Sequence, residues 1–591
     1  MKSFLTIKEY FLEHKKYYIM GVLWLIVIDG VQLIVPQILR RLTDDLQFGN
    51  LDRGRLIFYA FLIVATGLFI GIGRYFWRIY LIGTSREIEY KLRNKLFSHL
   101  LSLSPNYFNT HKTGDLMAHA TNDINAVRMA LGPGTIMIVD SAFLLMFSLI
   151  MMVRTTNLSL TAAAVFTLPL IMFLVTRFGK IIYKKFKVVQ EAFSDLSDIT
   201  QESFSGIRVI KSFVQEKLVS ENFKRVNQNN FNKNMDLVKV HGGFHPLLQL
   251  ISSISYLVII FYGGRQVING SISLGDFVAF NSYLGIIIWP TRALGMVINV
   301  LQRGAASLDR LNVIFDEKSD IVQKESPVKL SPLKGEIEFR DVAFAYPNSN
   351  HEALTKVSFK IPAGKTLAIT GRTGSGKSTI ANLILRLFDT STGEILVDGH
   401  NIRDVSLDDL RGNIGFVPQD NFLFSQTIED NIALAYDRKP MESEIIEASR
   451  IAQLHDNIIE FPDKFKTVIG ERGVTLSGGQ KQRLSIARAI VKKPSVLILD
   501  DSLSAVDTQT EEKILSGIRN FSRDITTILI SHRISTVKGA DEIIFLDDGT
   551  ILEKGTHLDL LEKKGEYYDL YQRQLLEDQV RSEEDENGQT S

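Results

Sequence analysis

The second half of this 591-residue chain contains the sequence Gly371-Arg372-Thr373-Gly374-Ser375-Gly376-Lys377-Ser378. Its spacing, G-x-x-x-x-G-K-[ST], is typical of a loop that binds phosphate groups. The glycines let backbone N–H groups close around a polyphosphate, the lysine reaches the terminal phosphates, and the serine hydroxyl holds Mg²⁺. We expect a strand at residues 366–370 before this loop. We expect a helix to start at Lys377, because a helix N-terminus adds partial positive charge to a phosphate site.

A second motif, Leu476-Ser477-Gly478-Gly479-Gln480, lies between this loop and the apolar stretch Val496-Leu497-Ile498-Leu499-Asp500. The apolar stretch predicts a buried strand that ends in a carboxylate, and a carboxylate at this point can hold Mg²⁺ directly or through water. Strand and helix signals alternate from residue 335 to residue 576. This alternation indicates an α/β domain of that extent.

The first half contains six apolar stretches that are long enough to cross a bilayer. The segments between them alternate between short and long, and the stretches lie at residues 18–39, 57–83, 133–153, 158–178, 246–268 and 276–299. Many Lys and Arg residues stand near the span ends of the long segments, which places those segments in the cytoplasm. Four arginines in the first short segment argue the other way. The α/β domain that carries the phosphate loop must lie in the cytoplasm, and an even number of spans places the N-terminus on the same side. We therefore expect a multi-pass protein of the cytoplasmic membrane with both termini in the cytoplasm.

Residues 18–300 are predicted to form an all-α membrane domain with long cytoplasmic extensions. Residues 84–104 and 181–232 keep apolar positions at helical spacing among charged ones, with few Gly or Pro, which indicates that the spans continue as helices. At the tips of these extensions we expect short helices near Gly114–Ala126 and Glu202–Lys211.

Three further segments are predicted from composition. Residues 1–17 combine lysines with apolar residues and predict an amphipathic helix at the membrane surface. Residues 301–334 are polar and contain two prolines, which indicates a linker. Residues 577–591 are acidic and almost free of apolar side chains, so we expect a disordered tail.

The composition excludes several classes of chemistry. The chain has no cysteine, so it has no disulfide, thiol nucleophile or Cys-based zinc site. The net charge is +1, and no global charge asymmetry points to a nucleic-acid partner.

The two motifs, in this order and followed by Asp500, resemble the phosphate loop and the signature of the ATP-binding cassette (ABC) family. Six spans followed by one cassette are similar to the half-transporters of the exporter type, and the resemblance covers essentially the full chain. It implies an all-α membrane domain followed by an α/β P-loop ATPase cassette. It also implies ATP and Mg²⁺ as cofactors and ATP hydrolysis coupled to translocation.

The resemblance implies roles for residues around the nucleotide. Tyr346 would stack on adenine, unless it is a core tyrosine on an alternating strand. Gln419 would touch Mg²⁺ together with Ser378 and Asp500, and His532 would meet the γ-phosphate, unless it is an ordinary surface or core histidine. The other implied nucleotide contacts are Gly371, Arg372, Thr373, Gly374, Ser375, Gly376, Lys377 and Thr379, with Leu476, Ser477, Gly478, Gly479 and Gln480 from the signature.

Two more loops resemble contact loops of the family. Glu471-Arg472-Gly473 resembles the loop that senses the cytoplasmic helix tips, and Ser504-Ala505-Val506-Asp507 resembles the loop by which two cassettes touch. In this family two cassettes pair head to tail, and each ATP lies between the P-loop of one chain and the signature of the other. The resemblance therefore implies a second half-transporter as partner.

The chain departs from the family at one position. The family usually has Glu after the Asp that holds Mg²⁺, and this glutamate polarises the attacking water, whereas this chain has Asp501. The side chain is one methylene shorter, which withdraws the carboxylate by roughly 1.5 Å. A misplacement of about 1 Å can cost on the order of 100-fold in rate. We expect the chain to bind ATP at its own P-loop and to hydrolyse it poorly, unless a small backbone shift lets Asp501 act.

The chain combines an intact signature with a shorter carboxylate at Asp501. This combination resembles one half of the heterodimeric bacterial multidrug exporters. That resemblance implies a distinct partner chain with Glu after its own Mg²⁺-binding Asp and with an altered signature. This chain's signature would complete the partner's competent site. A homodimeric exporter that uses Asp501, and a regulatory subunit that only senses ATP, remain as alternatives.

Ionisable residues inside the spans are the one indication of substrate. Asp29 and Asp140 fall within spans, and such groups usually face the bundle interior. They indicate a cavity for cationic amphiphiles, or mutual pairing that holds the bundle together. For Arg74 and Arg78 we favour pairing or placement near the interface. We expect a small amphipathic substrate, with drugs ahead of lipids or peptides, moved by a protein surrounded by membrane lipid.

Overall fold

The structure is a computed structural model, and it describes residues 2–588 except 331, 348, 350, 437–439, 471–475 and 522–524. The chain divides into two compact units. The membrane unit comprises the residues up to Leu101 together with Thr113–Glu317. The nucleotide unit comprises Ser102–Lys112 together with the residues from Lys318 onward.

Six long helical runs build the membrane unit, after a short helix α1 at Lys8–Glu13. Each run is long and apolar enough to cross a membrane, which confirms the six predicted spans. The runs extend beyond the predicted stretches because the flanking charged residues continue the helices. They are α2 (Lys15–Gln47), α3 (Arg53–Ser102), α5 (Thr113–Thr155), α6 (Leu158–Ser205), α8 (Glu216–Ile268) and α9 (Leu274–Asp316).

Glycine allows α2 and α3 to cross at close range. A Cβ at Gly73 would lie 2.7 Å from Ile28, so only glycine leaves room for this contact. The crossing brings Arg74 close enough to Asp29 for their charges to interact. Asp29 is 2% exposed, and its carboxyl group interacts with that of Asp140 on α5. The two carboxyl groups are thus paired inside the bundle.

Two short helices follow α3 and α6 in the chain, and the first differs from its predicted place. It is α4 (Pro105–Thr110), whereas Gly114–Ala126 belongs to α5. The physical reason is Pro105, which disfavours helix at the residue before it and suits the first helical position. The second, α7 (Ile207–Ser212), overlaps the predicted Glu202–Lys211.

Two segments predicted to lack regular structure are helical. The helix α9 continues to Asp316, so the first half of the predicted linker 301–334 belongs to it. Leu308, Leu311 and Ile314 are buried at helical spacing, which stabilises a stretch whose average composition is polar. The last helix, Glu566–Gly588, includes most of the predicted acidic tail 577–591. Glutamate has a high helix propensity. Because the start of this helix is packed, its later turns can continue as helix without burying apolar side chains.

The N-terminal segment is helical over most of its described length, and its place at the membrane surface stays a prediction. It is a 3₁₀ turn at Lys2–Ile7 followed by α1. Ile7 is 3% exposed and packs in a cluster with Leu308 and Leu311 of α9. Phe4, Ile7, Tyr10 and Phe11 thus pack in this cluster, whereas Leu5 and Leu12 are exposed.

The nucleotide unit contains two sheets, as an α/β cassette requires. The smaller is antiparallel in the order β2-β1-β4-β5, and the larger has the order β10-β9-β3-β8-β7-β6, with parallel pairing except in the β9–β10 hairpin. The strands are β1 (Ile337–Ala345), β2 (Glu352–Ile361), β3 (Thr366–Gly371), β4 (Thr392–Val397), β5 (His400–Asn401), β6 (Ile414–Val417), β7 (Val496–Asp500), β8 (Thr526–Ile530), β9 (Glu542–Asp547) and β10 (Thr550–Gly555).

Helices surround these sheets and bury two apolar cores, one on either side of the larger sheet. The named helices are α10 (Lys377–Ile384), α11 (Leu407–Gly412), α12 (Ile428–Ala433), α13 (Glu442–Ile451), α14 (His455–Ile459), α15 (Gly478–Ile490), α16 (Thr508–Phe521), α17 (Ile534–Val537), α18 (His557–Lys563) and α19 (Glu566–Gly588).

The register of the larger sheet brings the chemical motifs together. Strand β8 lies between its parallel neighbours β7 and β3. Ile530 of β8 pairs with Asp500 of β7 on one side and with Ile369 of β3 on the other. The carboxyl ends of all three strands therefore meet at one edge. In open α/β sheets, ligands bind at such an edge.

Candidate functional site

The phosphate loop connects β3 to α10, and its glycines give it its shape. Gly371, Gly374 and Gly376 have φ values of +142°, +83° and +96°, which other residues rarely adopt. A Cβ at Gly376 would lie 2.4 Å from the carbonyl oxygen of Ala353. As predicted, α10 starts at Lys377, so its N-terminal backbone N–H groups can bind a phosphate.

Lys377 is held across the loop. Its Nζ donates hydrogen bonds to the carbonyl oxygens of Gly371 at 3.0 Å and Arg372 at 2.6 Å. Burial lowers the pKa of Lys377, and the charges of Asp500 and Asp501 oppose this lowering. The amine thus lies between the loop and two carboxylates, where terminal phosphates would find a cation.

The oxygen atoms around Asp500 fit the coordination of Mg²⁺. Asp500 ends β7 and is 5% exposed. Burial raises its pKa, a hydrogen bond from Ser378 lowers it, and the charge of Asp501 raises it. Mg²⁺ prefers oxygen ligands and is usually held by one or two carboxylates with substrate phosphates.

Asp501 and His532 face each other across the site. His532 Nδ1 lies 3.1 Å from Asp501 Oδ1, and Asp501 has a φ of +46°. The backbone N–H of Asp501 donates to the carbonyl oxygen of Ile530 at 2.8 Å. Asp501 is therefore held through its side chain and its backbone.

Tyr346 is fixed in place at the mouth of the site. Its hydroxyl lies 3.0 Å from Thr379 Oγ1, and its ring packs edge-on against Phe344 and Phe388 at centroid distances of 4.9 and 5.3 Å. The ring is half-buried, so one side can receive a flat base. Tyr346 therefore packs against core residues and also lines the cleft. The two interpretations, a core tyrosine and a tyrosine that stacks on adenine, are compatible.

Most of the predicted residues line one cleft of about 450 Å³, a size typical of a small-molecule site. Arg372 instead pairs with Glu566 at 3.0 Å. The lining residues that the sequence analysis named are Tyr346, Thr373, Gly374, Ser375, Gly376, Lys377, Ser378, Thr379, Gln419, Asp500, Asp501 and His532.

The signature forms a separate surface, since none of its residues lines this cleft. Ser477 caps α15: its Oγ accepts from the Gln480 N–H at 3.3 Å, and Gln480 Oε1 accepts from the Ser477 N–H at 2.9 Å. A Cβ at Gly479 would lie 2.8 Å from the carbonyl oxygen of Ala505. The signature is therefore packed against the loop 504–507. The predicted contact loop Glu471-Arg472-Gly473 lies outside the described residues.

The structure adds residues that sequence reasoning missed. His351, Glu352, Asp548 and Gly549 also line the cleft, and His351 Nε2 lies 3.2 Å from Asp548 Oδ1. They come from the ends of β2 and β9, and no motif marks them. Only the pairing of distant strands brings them to the cleft.

Comparison with known families agrees with this architecture. Residues 18–291 match the model of the ABC transporter transmembrane region, and residues 354–504 match the model named ABC transporter. The solved structure of a bacterial Atm1-family ABC exporter with ATP bound is similar, with a TM-score of 0.76, 27% identity, and coverage of 95% of this chain and 98% of that chain.

Curated relatives match over nearly the full length. The probable multidrug resistance ABC transporter ATP-binding/permease protein YheI of Bacillus subtilis is 39% identical over 95% of both chains. The multidrug resistance-like ATP-binding protein MdlA of Escherichia coli is 36% identical over 98% of this chain and 97% of its own. The ATP-dependent lipid A-core flippase of Syntrophus aciditrophicus is 37% identical over 86% and 84%. This chain thus belongs to the ABC transporter family, as an exporter-type half-transporter with its membrane domain fused to its nucleotide-binding domain.

Proposed function

We propose that this chain is one half of a heterodimeric ATP-driven exporter of amphipathic compounds. Its own P-loop site binds ATP and Mg²⁺ but hydrolyses ATP weakly. Its intact signature completes the active site of a distinct partner chain, which supplies a Glu where this chain has Asp501. The observation that carries the proposal is the short carboxylate of Asp501 in an otherwise complete site.

The contacts of Asp501 support a weak site. A water that attacks the γ-phosphate must be polarised by a carboxylate within hydrogen-bond reach. Asp501 is tied to His532 at 3.1 Å and to Ile530 through its backbone at 2.8 Å. A compensating backbone shift would have to break these contacts. We therefore favour poor hydrolysis over catalysis by a displaced Asp501.

The position of the signature supports the need for a second chain. Ser477 is exposed at the start of α15 and does not line the chain's own cleft. In the composite arrangement, Ser477, Gly478 and Gly479 meet the nucleotide bound by the partner. The loop Ser504–Asp507, packed against Gln482 through bonds of 3.0 and 3.1 Å, would touch the partner's cassette.

The substrate is proposed to be amphipathic and small. Two relatives carry names that refer to multidrug resistance, and a third is named a lipid A-core flippase. The paired Asp29 and Asp140 place acidic groups within the bundle, which favours cationic compounds. Drugs are the leading class, with lipids and peptides as alternatives. We place the chain in the cytoplasmic membrane, with its nucleotide domain in the cytoplasm.

The first test is the composition of the native complex. The tagged chain is purified from its own membrane under mild conditions, and the mass of the complex is measured. A one-to-one complex with a second half-transporter, and substrate-stimulated ATPase, are expected. A homodimer with clear ATPase would mean that Asp501 is the catalytic carboxylate. ATP binding without substrate-stimulated turnover would favour a regulatory subunit.

A substitution in the signature tests the composite site. Ser477→Ala should remove most ATPase activity of the pair, because it strips the partner's competent site of a phosphate contact. Ser443→Ala, at an exposed position of α13, serves as the matched control. Full activity of the Ser477→Ala pair would contradict the assignment.

A further inference from the structure

The C-terminal helix α19 contacts two segments that contribute residues to the nucleotide cleft. Its first residue, Glu566, pairs with Arg372 of the phosphate loop at 3.0 Å. Two turns later, Gln574 reaches the segment 532–534, which follows β8 and carries His532. No residue of α19 belongs to the motifs that predict nucleotide binding. The helix nevertheless contacts both the phosphate loop and the segment that carries His532.

Gln574 holds the segment 532–534 through two backbone hydrogen bonds. Its Nε2 donates to the carbonyl oxygen of His532 at 2.6 Å, and its Oε1 accepts from the N–H of Ile534 at 2.8 Å. Ile534 begins α17, and Arg533 before it provides no side-chain cap. The Ile534 N–H therefore has no acceptor within its own helix, and one amide group ties both ends of the segment.

The side chain of His532 depends on this backbone for its direction. It is 59% exposed and its Nδ1 lies 3.1 Å from Asp501 Oδ1, so the position of the ring relative to Asp501 is set by the backbone that carries it together with this contact. The next residue, Arg533, donates to the carbonyl oxygen of Ser504 at 2.8 Å, so the same segment also holds the loop 504–507. A shift of residues 532–534 would move the His532 ring relative to Asp501.

The helix that carries Gln574 is itself well anchored. Tyr567, in the first turn of α19, is fully buried, and His557 Nδ1 lies 2.7 Å from its hydroxyl. Gln574 thus extends from a fixed support. Such a support is what a residue needs if it is to set the position of another.

We propose that Gln574 is a positioning residue that orients His532 toward the terminal phosphate of ATP. It contacts the backbone of His532 and leaves the nucleotide to other side chains. The inference rests on the proposed role of His532 at the γ-phosphate. Without Gln574, the cleft should lose part of its preference for ATP over ADP, because only ATP carries the phosphate that His532 meets.

The test measures nucleotide preference in the full-length chain within its native complex. Membranes are photolabelled with 8-azido-ATP, the tagged chain is captured, and ATP or ADP competes for the label. Gln574→Ala and the isosteric Gln574→Glu should each lower the preference for ATP by about three- to tenfold, since each breaks the bond to the His532 carbonyl. Gln574→Glu keeps the volume of the side chain, so a role in packing alone would leave it normal. Gln572→Ala, on the same helix, is the matched control.

His532→Ala separates the inference from the proposal on which it rests. If His532→Ala and both Gln574 variants lose preference for ATP while Gln572→Ala does not, the inference holds. If His532→Ala loses it and Gln574→Glu keeps it, Gln574 does not position His532. If His532→Ala keeps the preference, the proposed role of His532 is wrong, and the positioning role falls with it.

Discussion

Asp501 is one methylene shorter than the residue expected at its position, and this difference can be tested directly. Asp501→Glu extends the carboxylate by roughly 1.5 Å. We expect ATPase activity of the assembled pair to rise about twofold at most, because a longer carboxylate cannot complete a site that also needs an intact signature from the partner. Steady-state ATPase of the purified pair checks this. A rise of about tenfold or more would show that the carboxylate alone limits this site.

Gly376 illustrates a constraint that a single methyl group would violate. Its φ is +96°, and a Cβ would lie 2.4 Å from the Ala353 carbonyl oxygen. Gly376→Ala should therefore distort the phosphate loop and abolish 8-azido-ATP labelling of this chain. Gly412→Ala is the matched control, because a Cβ there has open space and an ordinary φ. Normal labelling of Gly376→Ala would mean that the loop tolerates another shape.

At the scale of elements, we expect the contact between α18 and α19 to respond to pH. Burial lowers the pKa of His557, as does the charge of Lys538, and His557 Nδ1 lies 2.7 Å from the buried Tyr567 hydroxyl. A histidine whose pKa is lower in the folded state binds protons more readily when unfolded. Its contribution to stability is therefore complete above its unfolded pKa, near 6.5, and decreases as the pH falls toward the folded value.

Calorimetry of the purified complex at pH 7.5 and pH 5.5 tests this dependence. We expect the wild-type chain to lose more thermal stability on acidification than His557→Gln, which carries no titratable ring. His400→Gln, at an exposed histidine, should behave like the wild type. Equal losses in all three chains would contradict the assignment of this pH dependence to His557.

At the scale of the whole molecule, the absence of cysteine makes the orientation testable. A single introduced cysteine is the only thiol in the chain. Asn50→Cys lies between α2 and α3, and Lys112→Cys lies between α4 and α5; both positions are exposed. In intact cells a membrane-impermeant maleimide should label Asn50→Cys alone, and Lys112→Cys should react after the cells are opened. The reverse pattern would place the nucleotide unit outside.

Local sequence patterns were sufficient to predict the six spans, the α/β cassette and many of the residues that line the cleft of the nucleotide unit, but not His351, Glu352, Asp548 or Gly549. The glycine spacing, the apolar runs and the terminal carboxylate behind these predictions are all local in the chain, whereas the order of the strands in the sheets is a property of the tertiary structure. The helical linker residues 301–316 and the N-terminal packing of Ile7 were not predictable, because their stability comes from burial against distant helices. The contacts of Gln574 with the His532 segment escape the sequence for the same reason: they join residues 40 or more positions apart, whose meeting depends on how α19 docks on the sheet.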